Sequence, residues 1–324
     1  MSDASHKSLQ AGEVRPLIYL APMSGVTDAP FREAVRAFGV GTLVSEMVAS
    51  IAMIETMRDS RKLRHVFDPD APTVLQLAGY DADLIGQAVA IACDRGAQAI
   101  DLNFGCPARK VVGKAAGSAL MREPELCLEI FKAVGKAAKV PWSVKMRLGW
   151  DWDCLNAAEL AQAAVGEGAQ LITVHGRTRC EFYKGQADWR AVGQAISGLQ
   201  ATTLVNGDIE TAEQARQALD QSGADGVMLG RATTGRPWHL RSLALGLAGQ
   251  DWTPAWASQV AAHQGLLNHM LSFHGSAVGL KSYRKHLAAW LPASDLRATL
   301  LKSEDPEAVL TGLESLAPPV QQAA

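Results

Sequence analysis

Asp101-Leu102-Asn103-Phe104-Gly105-Cys106-Pro107 ends an apolar run with an amide, a thiol and a turn inside four positions. A strand that hands its polar residues to the loop at its carboxyl end is how a (β/α) barrel presents reacting groups. A lone cysteine in a tight turn is more often an inert buried thiol. The reading therefore depends on whether other segments of the chain end in the same way.

Outward from this stretch, short runs rich in valine, isoleucine and leucine recur, separated by longer segments with alanine and leucine at helical spacing. Eight strands are expected: Leu17 to Ala21, Thr42 to Ser45, Thr73 to Leu77, Ala99 to Asn103, Trp142 to Met146, Leu171 to Val174, Thr203 to Val205 and Gly226 to Leu229. Helical spacing covers Asp81 to Arg95, Glu123 to Ala138, Asn156 to Glu167 and Thr211 to Gln221, with Asp81 and Thr211 as N-caps. Strands that are apolar without alternation suit a parallel sheet covered on both faces, and eight of them suit closure. The expected fold is α/β, a (β/α)8 TIM barrel followed by a small C-terminal helical domain, with a doubly wound sheet as runner-up. After Gly249 no strand candidate remains, and 252–279 and 282–316 read as helix. The expected division is a flexible tail over 1–15, a barrel over 16–249 and a helical domain over 250–324.

The 324 residues suit a barrel of about 250 with something appended. A hydrophobic content of 48% and a charged content of 20% describe a globular chain with ample core. No apolar run reaches the ~18 residues of a membrane span, so no membrane association is expected. Met1 to Gly12 carry no apolar segment or cleavage site, which makes a cytoplasmic protein the default expectation. The five cysteines form no C-x-x-C pair, which argues against disulfides and against a zinc or iron-sulfur site, so no metal is expected. No coiled-coil repeat demands a partner subunit, and a monomer is expected. The formal net charge of -2 excludes a globally basic nucleic-acid binder but leaves local positive faces. Three are available: Arg58, Arg61, Lys62, Arg64 and His65; Arg109, Lys110 and Lys114; and Arg284, Lys285 and His286.

At or just past the strand ends stand Met23, Glu46, Gln76, Asn103, Lys145, His175, Asn206 and Arg231. Strands do end where solvent begins, but that accounts poorly for a series of Gln, Asn, Lys, His and Asn on one rim. Asn206-Gly207-Asp208 and Gly230-Arg231 follow the last two strands, where barrels bind phosphate, and imply a phosphorylated cofactor unless these glycines merely shape turns. Other nucleotide motifs are missing. Gly39-Val40-Gly41 precedes a strand and lacks the third glycine of a dinucleotide fingerprint, and Gly113-Lys114 lacks the rest of a P-loop.

Six segments taken together resemble the tRNA-dihydrouridine synthases. They are Ala21-Pro22-Met23-Ser24-Gly25-Val26-Thr27-Asp28, Gln76-Leu77, Asn103-Phe104-Gly105-Cys106-Pro107, Lys145-Met146-Arg147, His175-Gly176-Arg177-Thr178 and Asn206-Gly207-Asp208-Ile209. Order and spacing match that family from about Pro16 to Trp238. Gly105-Cys106-Pro107-Ala108, Lys114 and Gly117-Ser118-Ala119-Leu120, together with Arg284-Lys285-His286 and Trp290, are similar to its bacterial branch related to the nitrogen-regulation flavoproteins.

The resemblance implies FMN in the barrel mouth, NADPH as a diffusing reductant, and reduction of the C5=C6 bond of a D-loop uridine in tRNA. Hydride passes from flavin N5 to C6 and a proton from Cys106 to C5. Pro22, Met23 and Ser24 would line the flavin and Gln76 would bond its ring. Lys145 and His175 would face its pyrimidine end, while Asn206, Gly207, Asp208, Gly230 and Arg231 would hold its ribityl phosphate. A thiol, with an ordinary pKa of about 8.5, still carries its proton at neutral pH, whereas a carboxyl would have lost it. Asn103 would contact the uracil edge, Arg177 would bind the substrate, and Arg109, Lys110, Lys114, Arg284 and Lys285 would contact the tRNA, with the helical domain sharing in its binding. A stacked uracil must be extruded to meet a flavin. Two other functions suit the same residues: an FMN-dependent oxidoreductase of a free pyrimidine or enone, and a non-catalytic RNA-binding or regulatory barrel.

Overall fold

The computed structural model describes residues 16–56, 73–108, 111 and 116–316. Nine parallel strands form one sheet: β1 (Leu17–Leu20), β2 (Thr42–Leu43), β3 (Val48–Ala49), β4 (Leu75–Ala78), β5 (Ile100–Phe104), β6 (Trp142–Arg147), β7 (Leu171–His175), β8 (Thr202–Asn206) and β9 (Gly226–Leu229). They run in the order β2-β1-β9-β8-β7-β6-β5-β4-β3. A parallel bridge from Val44 to Val74 joins the β2 end of this order to β4, so the sheet curls back on itself. Strands β1, β4, β5, β7 and β9 are buried along their whole length, as parallel strands covered on both faces must be.

The ninth strand has a local cause. Val44 is level with Val74 and Val48 with Leu77, four residues facing three, so one extra residue bulges between β2 and β3. Ser45 holds the bulge: its Oγ donates to the Glu46 carbonyl at 2.8 Å and accepts the Gln76 N–H at 3.0 Å. β2 and β3 are thus two halves of one of the eight expected strand positions.

Of the described residues, those up to Ser24 and from Gly41 to Gly230 form one compact unit, and Gly25–Val40 with those from Arg231 onward form a second. The first unit holds the sheet and the helices α2 (Ser50–Thr56), α3 (Ala82–Asp94), α4 (Pro124–Ala137), α5 (Ala157–Gly166), α6 (Trp189–Ile196) and α7 (Ala212–Ser222); α1 (Ala29–Arg36) belongs to the second. Both expected N-caps form. Asp81 accepts the Leu84 N–H at 2.9 Å, and Thr211 accepts from Gln214, whose own side chain accepts the Thr211 N–H in return.

The second unit adds α8 (His239–Leu247), α9 (Trp256–His274), α10 (Ser276–Trp290), α11 (Asp295–Lys302) and α12 (Pro306–Glu314). Its division from the sheet differs from the expected boundary after 249, because α1 and residues 231–249 pack with these helices. Phe31 stacks on His286 at 4.5 Å, Phe38 meets Trp238 edge-on at 6.2 Å, and His274 Nε2 donates to Asp28 Oδ2 at 2.8 Å. His263 sits at the centre. Its Nε2–H donates to the Gly235 carbonyl at 2.9 Å, its Nδ1 accepts from the Tyr283 hydroxyl at 3.0 Å, and Trp290 stacks on its ring at 3.7 Å. Burial holds both His263 and His286 down at about 3, so both are neutral members of the core. The expected helix break near residue 280 falls instead at Gly275, whose φ of 78° and ψ of 163° suit glycine almost alone. Among the described residues no helix is long and apolar enough to cross a membrane.

Candidate active site

Residues two apart on a strand share a face, and the parallel register sets one such face of several strands side by side. Gln76 is level with Asp101, Asp101 with Ser143, Asn103 with Lys145, Arg147 with His175, and His175 with Asn206. One polar face therefore runs from β4 to β8, and nearly all of it is buried.

Its first part is a directional chain of hydrogen bonds. Ser143 Oγ donates to Asp101 Oδ1 at 2.5 Å and Gln76 Nε2 to Asp101 Oδ2 at 2.6 Å. Asn103 Nδ2 donates to Gln76 Oε1 at 2.8 Å, and Asn103 Oδ1 accepts the N–H groups of Gly105 and Cys106 at 3.2 and 2.9 Å. An ionised carboxylate only accepts, so Asp101 decides which way both amides point. Burial pushes its carboxyl up to about 6, opposed by the Ser143 and Gln76 hydrogen bonds and the Lys145 charge. On its far side Cys106 is held through its carbonyl, which accepts the Ser118 N–H at 3.2 Å and the Ser118 hydroxyl at 2.9 Å. The backbone of Cys106 is pinned at both ends while its side chain stays half-buried.

Lys145 lies beside this chain. Its Nζ donates to Asn206 Oδ1 at 2.9 Å, and Asn206 Nδ2 donates in turn to the Met228 carbonyl at 2.7 Å. Burial, and after it the Arg147 charge, hold the ammonium down at about 8, with Asp101 and Cys106 pulling the other way. A half-buried ammonium with three donors and one hydrogen bond to a neutral amide suits an acceptor-rich or anionic guest.

Arg147 ties the rim together: its Nε donates to the Gly105 carbonyl at 2.9 Å and its Nη1 to the Thr178 and Phe182 carbonyls at 2.7 and 2.9 Å. Arg177 has only 1% of its surface exposed. It pairs with Asp208, lies 3.3 Å from His175 Nε2, and donates to the Lys184 and Gly185 carbonyls at 3.0 and 2.9 Å. That placement makes Arg177 a brace for the loops after β7 and β8. Gly207 adopts φ 117°, and a Cβ there would lie 2.7 Å from the Ala187 Cβ and 3.0 Å from the His175 ring.

Among the expected residues, the structure joins Gln76 to Asn103, Asn103 to Cys106, Lys145 to Asn206, and His175 through Arg177 to Asp208. Pro22, Met23 and Ser24 follow β1, and a Cβ at Gly230 would have the Met23 sulfur as its nearest neighbour at 3.7 Å. Arg231 opens a 3-10 turn of the second unit. Arg284 is turned onto the Ser303 carbonyl at 2.7 Å, and Lys285 onto the Gly25 carbonyl. Arg109, Lys110 and Lys114 lie outside the described residues, as does the cluster from Arg58 to His65. Asp101, Ser143, Arg147 and Ser118 were not anticipated. The first three were within reach, since stepping back two residues from Asn103 and two either way from Lys145 finds them.

The profile described as Dihydrouridine synthase (Dus) matches residues 19–321. The chain is 44% identical to the probable tRNA-dihydrouridine synthase of Rhodobacter capsulatus over 95% of this chain and 97% of that protein. It is 43% identical to the protein of the same name from Rickettsia prowazekii, over 92% and 93%. With tRNA-dihydrouridine synthase B of Pseudomonas syringae pv. tomato it shares 41% identity over 90% and 88%. A match of this extent, over a parallel sheet with a polar face ending at Cys106, shows that the chain belongs to the dihydrouridine synthase family.

Proposed function

We propose that this protein reduces the C5=C6 bond of a uridine in tRNA, in the D-loop, to give 5,6-dihydrouridine, with Cys106 delivering the proton to C5. The observation that carries the reading is the Cys106 backbone, pinned by Asn103 on one side and Ser118 on the other, with its thiol half-buried and within electrostatic range of Lys145.

Bound FMN, kept reduced by diffusing NADPH, would supply the hydride for C6. Lys145 and His175 would face the pyrimidine end of its ring, with Pro22, Met23 and Ser24 along it and Asn206-Gly207-Asp208, Gly230 and Arg231 toward its phosphate. The under-supplied ammonium of Lys145 supports that fit. Gln76 would bond its ring; the side chain is fully buried, with its amide hydrogen-bonded to Asp101 and Asn103.

When hydride adds at C6, the C5=C6 electron pair shifts toward C5 and O4. Cys106 Sγ gives its proton to C5 and regains one from solvent. Asn103 would meet the uracil edge. Arg284, Lys285, Arg109, Lys110 and Lys114 would contribute phosphate contacts, binding that weakens steeply with salt. The reading places the protein in the cytoplasm, as a monomer.

Cys106→Ala tests it. FMN and tRNA binding should persist while dihydrouridine formation falls by orders of magnitude; unchanged turnover would assign the proton to another group.

A further inference from the structure

Phe182 is one of two non-glycine residues at positive φ, 54°, among the described residues. A left-handed conformation costs a bulky side chain energy and persists only where the surroundings impose it. Here Arg147 imposes it by donating to the Phe182 carbonyl at 2.9 Å. The outcome is that two consecutive rings meet solvent, Phe182 36% and Tyr183 53% exposed.

These rings are backed by stacked cations. Arg122 lies 4.9 Å and Arg179 4.5 Å from the Trp150 ring; Arg179 is also 4.7 Å from the Phe182 ring, and Arg147 is 5.5 Å from the Tyr183 ring. The acidic neighbour, Glu181, is turned onto the Thr178 N–H and hydroxyl at 2.7 and 2.9 Å. Guanidinium planes fix the rings, and positive charge beside exposed aromatic faces complements a base joined to a phosphate. Arg147 also fixes the distance to the chemistry, because its Nε holds the carbonyl of Gly105, the residue before Cys106.

We infer that Phe182 and Tyr183 form a stacking platform for the nucleobase next to the one reduced at Cys106. This rests on the tRNA reading above. Extruding one base leaves its neighbour without a stacking partner, and a ring pair one arginine away from the thiol supplies a replacement.

The test is binding of an unmodified tRNA transcript to the FMN-loaded full chain across a salt series. Phe182→Asn suits the left-handed backbone and removes the ring, and Tyr183→Leu keeps the bulk without the flat face. Each should weaken affinity by roughly 5- to 150-fold, the range of one lost stack. The slope of log K against log salt should not change, since stacking releases no counterions. Tyr183→Trp should restore affinity, and the melting temperature of all three should stay within a few degrees. Unaltered affinity in both ring-removing variants, a shallower salt slope, or losses that follow a lowered melting temperature would overturn the platform. A wild-type protein that binds no tRNA would instead sink the functional reading itself.

Discussion

Asn103 Oδ1 accepts the Cys106 N–H at 2.9 Å, so the amide that ends β5 sets the backbone of the thiol three residues on. The same amide reaches back through Gln76 to Asp101, which makes the position of the thiol a property of the barrel interior.

Asn103→Ala should lower kcat for tRNA by roughly 100-fold, the scale of a 1 Å misplacement. FMN retention, read from the visible spectrum, should survive. An unchanged kcat would show that Ser118 alone holds the turn.

Asp101 predicts a pH dependence of stability. Its folded pKa, about 6, lies above the ordinary 3.8, so between these values the folded chain binds more protons than the unfolded one. The contribution of Asp101 to stability therefore falls as pH rises from about 4 to 6 and is level above. In thermal melts from pH 4 to 7, Asp101→Asn should remove this descending contribution; an identical pH dependence in the variant would contradict it.

Lys145 predicts the alkaline side. Its folded pKa of about 8 lies below 10.5, so its contribution to the stability of the protein without FMN rises between those values as the ammonium discharges. A guest that needs the charge behaves oppositely. FMN affinity, followed by quenching of flavin fluorescence, should weaken above pH 8 and become weak and pH-independent in Lys145→Met.

Gly275→Ala should destabilise the second unit by roughly 1–3 kcal/mol, since the φ of 78° with ψ of 163° between α9 and α10 is open to glycine alone. Thermal unfolding measures it, and a melting temperature equal to that of the wild type would mean the two helices meet by another turn.

Strand positions were legible because each apolar run had to be buried on both faces, and seven of the eight expected runs became single strands. The run Thr42 to Ser45 holds β2 but is followed, outside its expected bounds, by β3, because the bulge at Ser45 depends on register against Val74 and Leu77, which no local pattern encodes. Asn103, Cys106, Lys145 and Asn206 could be named from their places at strand ends. The burial of Arg177 has no such local sign, since its partner Asp208 is 31 residues away. The placing of α1 with the C-terminal helices was likewise invisible, as the Asp28–His274 bond spans 246 residues.

The alternation along β6 carries a constraint of its own. Ser143, Lys145 and Arg147 serve the polar face only while Val144 and Met146 occupy the other, so inserting or deleting one residue upstream within the strand would exchange the two sets at a stroke. Along β6 the number of residues is therefore constrained as firmly as their kinds.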